Sequence, residues 1–278
     1  MAKKSGMNAR FEAATLEGRR YRTILRVVGE KGTGKTRLGL TAPGPTLYQS
    51  FDDGLEGVIE KFLEGDEEND IAARTDLYVR QYKWHPGGKD AKGDDGEFNQ
   101  EYAQSLRDEF EEDLAFALDN GVRTVVWDKE TDIWEMYRYA EFGGPSDAPK
   151  DYPALNQRYM AAINSVKGYN TNLVVIQGMK EEWGTKQRKN GAGQIVNSPG
   201  PTGRRVPSGF GRLDELVFAE IMCHREGAEF FFDFMASFDP EFGKCRSNKD
   251  LCGERISARS FSELGTLLIE GSSEEDWQ

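Results

Sequence analysis

The chain has 278 residues, 37% of them apolar, and a formal net charge of −12, which allows one large or two small domains with a buried core and excludes a polycation that coats nucleic acid along its whole surface. Three cysteines without paired C-x-x-C spacing and only two histidines, His85 and His224, assemble no usual zinc site and suit thiols that stay reduced. No apolar run approaches membrane-spanning length, and Met1-Ala2-Lys3-Lys4-Ser5-Gly6 lacks the apolar stretch of a secretion signal, so a cytoplasmic location is expected.

Residues 1–20 read as an N-terminal extension. A strand-like run from Tyr21 to Val28 then delivers Gly29-Glu30-Lys31-Gly32-Thr33-Gly34-Lys35-Thr36, which spells G-x-x-x-x-G-K-[ST]. In such a loop the glycines let the backbone turn tightly and aim successive N–H groups at phosphate oxygens. Lys35 reaches the β- and γ-phosphates, Thr36 ligates Mg²⁺, and the following helix adds the partial charge of its N-terminus. ATP and Mg²⁺ are the expected cofactors.

A short helix ends before Pro43-Gly44-Pro45, and a second strand, Thr46 to Phe51, stops at Asp52-Asp53-Gly54. From Phe51 to Asn120 there are 21 Asp/Glu against 7 Lys/Arg, a net of −14, and residues 65–100 within it read as an irregular acidic insertion. Leu106, Phe110, Leu114 and Leu118 recur every four residues and predict a helix from about Gln100 to Leu118 with a solvated acidic face. A third strand, Thr124 to Trp127, ends on Asp128, whose carboxylate beside a phosphate loop suits the Mg²⁺ shell. A helix from about Ala154 to Lys167 leads to a fourth strand, Leu173 to Ile176, ending on Gln177.

Lys180 to Arg212 reverses the charge, with 7 Lys/Arg against 2 Asp/Glu, a net of +5. Glu215 to His224 and Glu229 to Ser237 predict a hairpin, and 271–278 an acidic disordered tail. Alternating strands and helices make the fold α/β: a mainly parallel sheet flanked by helices, over residues 21–270, with a C-terminal β-hairpin. Hydrolysis also needs a group that orients and deprotonates water. Asp52, Asp53 and Glu130 are all candidates.

These residues resemble the RecA-superfamily P-loop ATPases of the RadA, DnaB and KaiC type. Leu47-Tyr48-Gln49-Ser50-Phe51-Asp52-Asp53 looks like the family's second core strand, which implies Asp52 as the water-activating residue in place of the family's longer glutamate. Val125-Val126-Trp127-Asp128-Lys129-Glu130-Thr131 resembles the second nucleotide motif. Gln177 matches the polar residue that senses the γ-phosphate, and Lys244-Cys245-Arg246 looks like the K-x-R finger inserted into a neighbouring subunit's ATP site. Within the superfamily, Asp128 to Thr131, Asp151-Tyr152 and the late strand before K-x-R resemble the single-domain RecA-like nucleotide-binding proteins of bacteriophages, some of them single-strand annealing or recombination proteins. The resemblance implies a RecA-like core, an oligomeric ring or filament with Lys244 and Arg246 acting in trans, and the host cytoplasm as location if the chain is phage-encoded.

Single-stranded DNA is the partner this implies. Tyr137-Arg138-Tyr139-Ala140-Glu141-Phe142-Gly143-Gly144 has aromatics suited to base stacking, with core packing as the equal alternative. Trp183 to Arg212, carrying Lys186, Arg188, Lys189, Arg204 and Arg205 among glycines and prolines, suits a mobile phosphate-gripping loop or a merely solvated surface. The alternative function is a nucleotide-dependent switch or assembly ATPase that docks a protein through the 65–100 insertion. A small-molecule kinase, with Arg204-Arg205 as its lid, comes third.

Overall fold

In the computed structural model of the chain, residues 21–51, 55–67, 71–84, 92, 99–144, 152–189, 195–227, 229–234, 245, 248–258 and 260–277 are described. In chain order the elements are β1 (Ile24–Gly29), α1 (Lys35–Leu40), β2 (Thr46–Ser50), α2 (Ile59–Glu64), β3 (Leu77–Gln81), α3 (Gln100–Asp119), β4 (Thr124–Asp128), α4 (Glu130–Phe142), α5 (Tyr152–Gly168), β5 (Asn172–Gln177), β6 (Met179–Lys189), β7 (Ile195–Pro207), α6 (Leu213–Leu216), β8 (Ala219–Glu226), β9 (Glu229–Phe234), β10 (Arg255–Ile256) and α7 (Phe261–Leu268).

One sheet runs in the order β10-β9-β8-β1-β5-β4-β2-β3. From β8 to β3 every neighbour is parallel, while β9 and β10 add an antiparallel hairpin edge at the C-terminal side. The expected α/β class with a mainly parallel sheet and C-terminal hairpin is the one observed. The central strands are covered on both faces, which explains why β1, β4 and β5 read as nearly unbroken apolar runs.

Strand periodicity divides those runs between two cores. Ile24, Val125, Trp127, Leu173 and Val175 pack with residues of α3, α4 and α5. Leu25, Val27, Val126, Val174 and Ile176 pack with residues of α1, α2 and α7. Side chains two apart share a face, so Arg26 and Gln177 point towards α4 and Asp128, in step with Val126, points towards α1. This division separates Asp128 and α1 from Arg26 and Gln177 on the opposite face of the sheet.

α3 forms as predicted, burying Leu106, Phe110, Leu114 and Leu118. The Asn99 side chain caps it by accepting from the Tyr102 N–H at 3.0 Å.

Several expectations are corrected. The 65–100 stretch is not wholly irregular, because β3 adds a parallel edge strand beside β2; only Leu77 of its five residues is buried, so the hydrophobic alternation that marks a strand is missing. The segment after Gln177, expected as a loop over Trp183 to Arg212, is an antiparallel ribbon, β6 paired with β7. Residues 137–142 belong to a helix, α4, and Tyr137 and Tyr139 are buried in its core face. The strand expected from Glu215 begins only at Ala219, after the short α6. The tail is ordered as far as described: Glu274–Trp277 make a 3₁₀ turn, and Trp277 is fully buried near Phe261 and Tyr21. A methyl group at Gly265 would overlap the indole. Burial of one large aromatic outweighs the charges that flank it. Among the described residues no helix is long and apolar enough to cross a membrane.

Candidate nucleotide site

The phosphate loop sits at the carboxyl end of β1, a central strand between β5 and β8. Gly32 and Gly34 have φ of 80° and 87°, left-handed values that side-chain-bearing residues rarely adopt. At Gly34 the demand is double, since a Cβ there would collide with the Phe230 ring from β9. The loop closes on itself: Lys35 Nζ donates to the carbonyls of Gly29 at 2.9 Å and Glu30 at 2.7 Å, and Thr33 Oγ1 donates to the same Glu30 carbonyl at 2.8 Å. Lys31 extends from the exposed side of the loop.

Thr36, the residue after Lys35, meets Asp128 across the sheet. Its Oγ1 donates to Asp128 Oδ2 at 3.1 Å, and the buried Tyr48 hydroxyl donates to the same oxygen at 2.6 Å. Asp128 is only 4% exposed. A hydroxyl, one carboxylate and a lysine gathered at a glycine loop fit Mg²⁺ carried by a nucleotide, because that ion takes one or two protein oxygens and completes its shell with water and phosphate. Among the described residues no group of three or more His, Cys, Asp or Glu forms a metal cluster.

Asp52 and Asp53 lie outside the described residues; the strand that leads to them runs with Ser50 level with Asp128. Glu130 is placed away from Thr36 and Asp128, on the α4 face, and is completely buried. Its carboxylate accepts from the Tyr159 hydroxyl at 2.6 Å, the Gln177 amide at 2.5 Å and the Phe210 N–H at 3.2 Å. Burial raises its pKa above the ordinary glutamate range, while those three donors and the Arg26 charge pull it down.

Gln177 is likewise enclosed. Its carbonyl oxygen accepts from Arg26 Nε at 2.6 Å, and Arg26 Nη1 pairs with Glu220 at 3.1 Å with both side chains nearly inaccessible. The Gln177 amide is therefore a link between Arg26 and Glu130, not a group turned out towards the loop. The sequence pattern alone does not join Glu220, Arg26, Gln177 and Glu130 into this chain. A charged residue in the middle of Ile24-Leu25-Arg26-Val27-Val28, and another in Ala219-Glu220-Ile221, was the available signal, since a buried charge requires a partner.

Lys244 and Arg246 fall outside the described residues. Cys245 between them is bridged to Ala219, at the amino end of β8. Gly29 stands level with Cys223, four residues further along that strand, or roughly 13 Å at the rise of a β-strand.

The stacking role expected for the 137–144 cluster does not stand: Tyr137 packs edge-on against Phe110 and Tyr159, and Tyr139 against Trp84. The ribbon keeps its accessible residues. Trp183 is 67% exposed, and Arg204 lies 3.9 Å from Glu182 with most of its side chain in solvent. The side chains of Lys186, Arg188 and Lys189 lie outside those described. Arg212 is paired with Glu215 at 2.7 Å. Arg205 reaches back to the phosphate loop, its Nη2 lying 2.9 Å from Glu30 Oε1 and 3.0 Å from Oε2.

No family model matches the chain, and no curated protein matches it. Among solved structures it is similar to a KaiC-like protein from the hyperthermophilic archaeon Pyrococcus horikoshii, at 10% identity and a TM-score of 0.38, over 77% of this chain and 85% of that one. A likeness of that size carries no argument about activity.

Proposed function

We propose that the chain is a RecA-like ATPase that binds ATP with Mg²⁺ at the 29–36 loop, hydrolyses it, and acts on single-stranded DNA in phage-type recombination, annealing or repair. The observation that carries the nucleotide part is the meeting of Thr36 with Asp128 beside Lys35, three residues from two distant segments joined at one glycine loop. Thr36 and Asp128 would hold Mg²⁺, which neutralises charge on the phosphates. Lys35 supplies a further positive charge, and the loop N–H groups orient the phosphate oxygens. Tyr48 fixes the Asp128 carboxylate from the other side. Asp52 is the residue assigned to water activation, with Asp53 as the neighbouring alternative; Glu130 is less suited because both its oxygens already accept hydrogen bonds.

The DNA part is supported by the exposed Trp183 and Arg204 on the ribbon and by the net charge of +5 from Lys180 to Arg212. An exposed aromatic and a net positive charge on one ribbon suit base stacking and phosphate contact. The finger in trans is supported by the position of Cys245, at the end of β8 remote from the chain's own loop, and it makes the working unit a homo-oligomer. A second reading, a nucleotide switch with a protein partner, is favoured by the exposed Tyr78 and Val79 on the edge strand β3. ATP turnover with and without single-stranded DNA separates the two: stimulation supports the DNA reading, and its absence favours the switch. Trp183→Ala is expected to weaken single-strand binding by about 1–3 kcal/mol.

A further inference from the structure

Two cations face the phosphate loop, and Glu30 holds both. Its backbone carbonyl accepts from Lys35 Nζ at 2.7 Å, while its carboxylate takes the Arg205 guanidinium at about 3 Å through both oxygens. Arg205 belongs to β7, three residues before Ser208, where the ribbon is tied to the body of the protein. There Ser208 Oγ donates to the Gly178 carbonyl at 3.0 Å and lies 2.5 Å from Thr131 Oγ1. Arg205 Nη2 also donates to the Met179 carbonyl at the start of β6. One side chain thus joins the base of the ribbon to the second residue of the phosphate loop.

We infer that Arg205 senses the terminal phosphate of the bound nucleotide, with Glu30 as its partner only when that phosphate is absent. The inference rests on the nucleotide reading of the loop. Both members of the ion pair are more than half exposed, and an exposed pair of this kind contributes at most about 1 kcal/mol. A terminal phosphate carries more negative charge than one carboxylate and can likewise take a guanidinium through two oxygens, so the exchange gains more with ATP than with ADP. Because Arg205 is part of β7, the exchange also reports the state of the nucleotide to the ribbon.

The test is a comparison of affinity for a non-hydrolysable ATP analogue and for ADP, both with Mg²⁺, in the whole protein. Arg205→Ala is expected to lose about tenfold or more of the preference for the triphosphate, and Arg205→Lys to retain part of it. Glu30→Gln is expected to increase the preference by freeing the guanidinium, and this increase should vanish in the Glu30→Gln, Arg205→Ala double variant. A purely structural ion pair would move both single variants in the same direction. A wild type that prefers the triphosphate, combined with any pattern other than this one, overturns the role of Arg205 alone. A wild type that binds neither nucleotide overturns the nucleotide reading and this inference with it.

Discussion

Thr36 Oγ1 on α1 donates to Asp128 Oδ2 on β4 at 3.1 Å, across 92 positions of sequence, and Tyr48 holds the same carboxylate oxygen at 2.6 Å. Under the proposed function Thr36 would leave this contact to hold Mg²⁺, and Tyr48 would still orient Asp128. The tyrosine is therefore expected to matter more for metal dependence than for nucleotide affinity.

Tyr48→Phe should raise the Mg²⁺ concentration needed for half-maximal ATP turnover several-fold. It should also cost roughly 1.5–3 kcal/mol of stability, the range for a hydrogen bond to a charged group. A Mg²⁺ titration of turnover checks the first effect and urea unfolding the second. An unchanged Mg²⁺ midpoint would remove Tyr48 from the site.

Glu130 makes stability depend on pH in an unusual direction. Burial lifts its carboxyl above the ordinary value of 4.5, so the folded state binds the proton more tightly than the unfolded one. That contribution is complete below 4.5 and declines as pH rises through the folded-state value. The melting temperature of the wild type, relative to Glu130→Gln, should accordingly fall as pH rises from 4.5. A difference that stays constant or grows with pH would contradict the burial argument.

Much of this architecture is legible in the sequence because the signals are local. Gly29 to Thr36 carries its own spelling, and strands buried on both faces, such as Leu173 to Ile176, need no partner to be recognised. β3 escapes because an edge strand with one buried residue has no apolar pattern. The ribbon escapes because Met179 to Lys189 is mostly polar, and its order comes from pairing with β7. The same holds for the site. Asp128 and Thr36 are visible as motif residues, whereas Tyr48, Arg26, Glu220 and Arg205 gain their roles from contacts between segments remote in sequence. Gln177 is legible as a strand end, whereas the face it occupies depends on the register of β5 against β1.

The C-terminal turn gives a stability test that is independent of the nucleotide site. Trp277 is fully buried; its Nε1 donates to Ser272 Oγ at 3.0 Å, and its carbonyl accepts from Ser262. Trp277→Ala should lower the free energy of unfolding by about 3–5 kcal/mol, as for other buried aromatics, leaving the ratio of ATP to ADP affinity unchanged. A loss below about 0.5 kcal/mol, the scale of surface substitutions, would mean that the turn is not docked in solution.

The most direct test of the nucleotide site is Mg²⁺-dependent ATP hydrolysis by the wild type and by Lys35→Ala, measured side by side with unfolding by urea. Lys35 Nζ donates to the loop carbonyls of Gly29 and Glu30, and Lys35→Ala is expected to leave the unfolding midpoint nearly unchanged. Under the proposed function this removes a charge that would face the phosphates, and turnover should fall by about 10² or more. Equal hydrolysis by the two proteins, or no Mg²⁺-dependent hydrolysis by the wild type alone or with single-stranded DNA, would contradict the account.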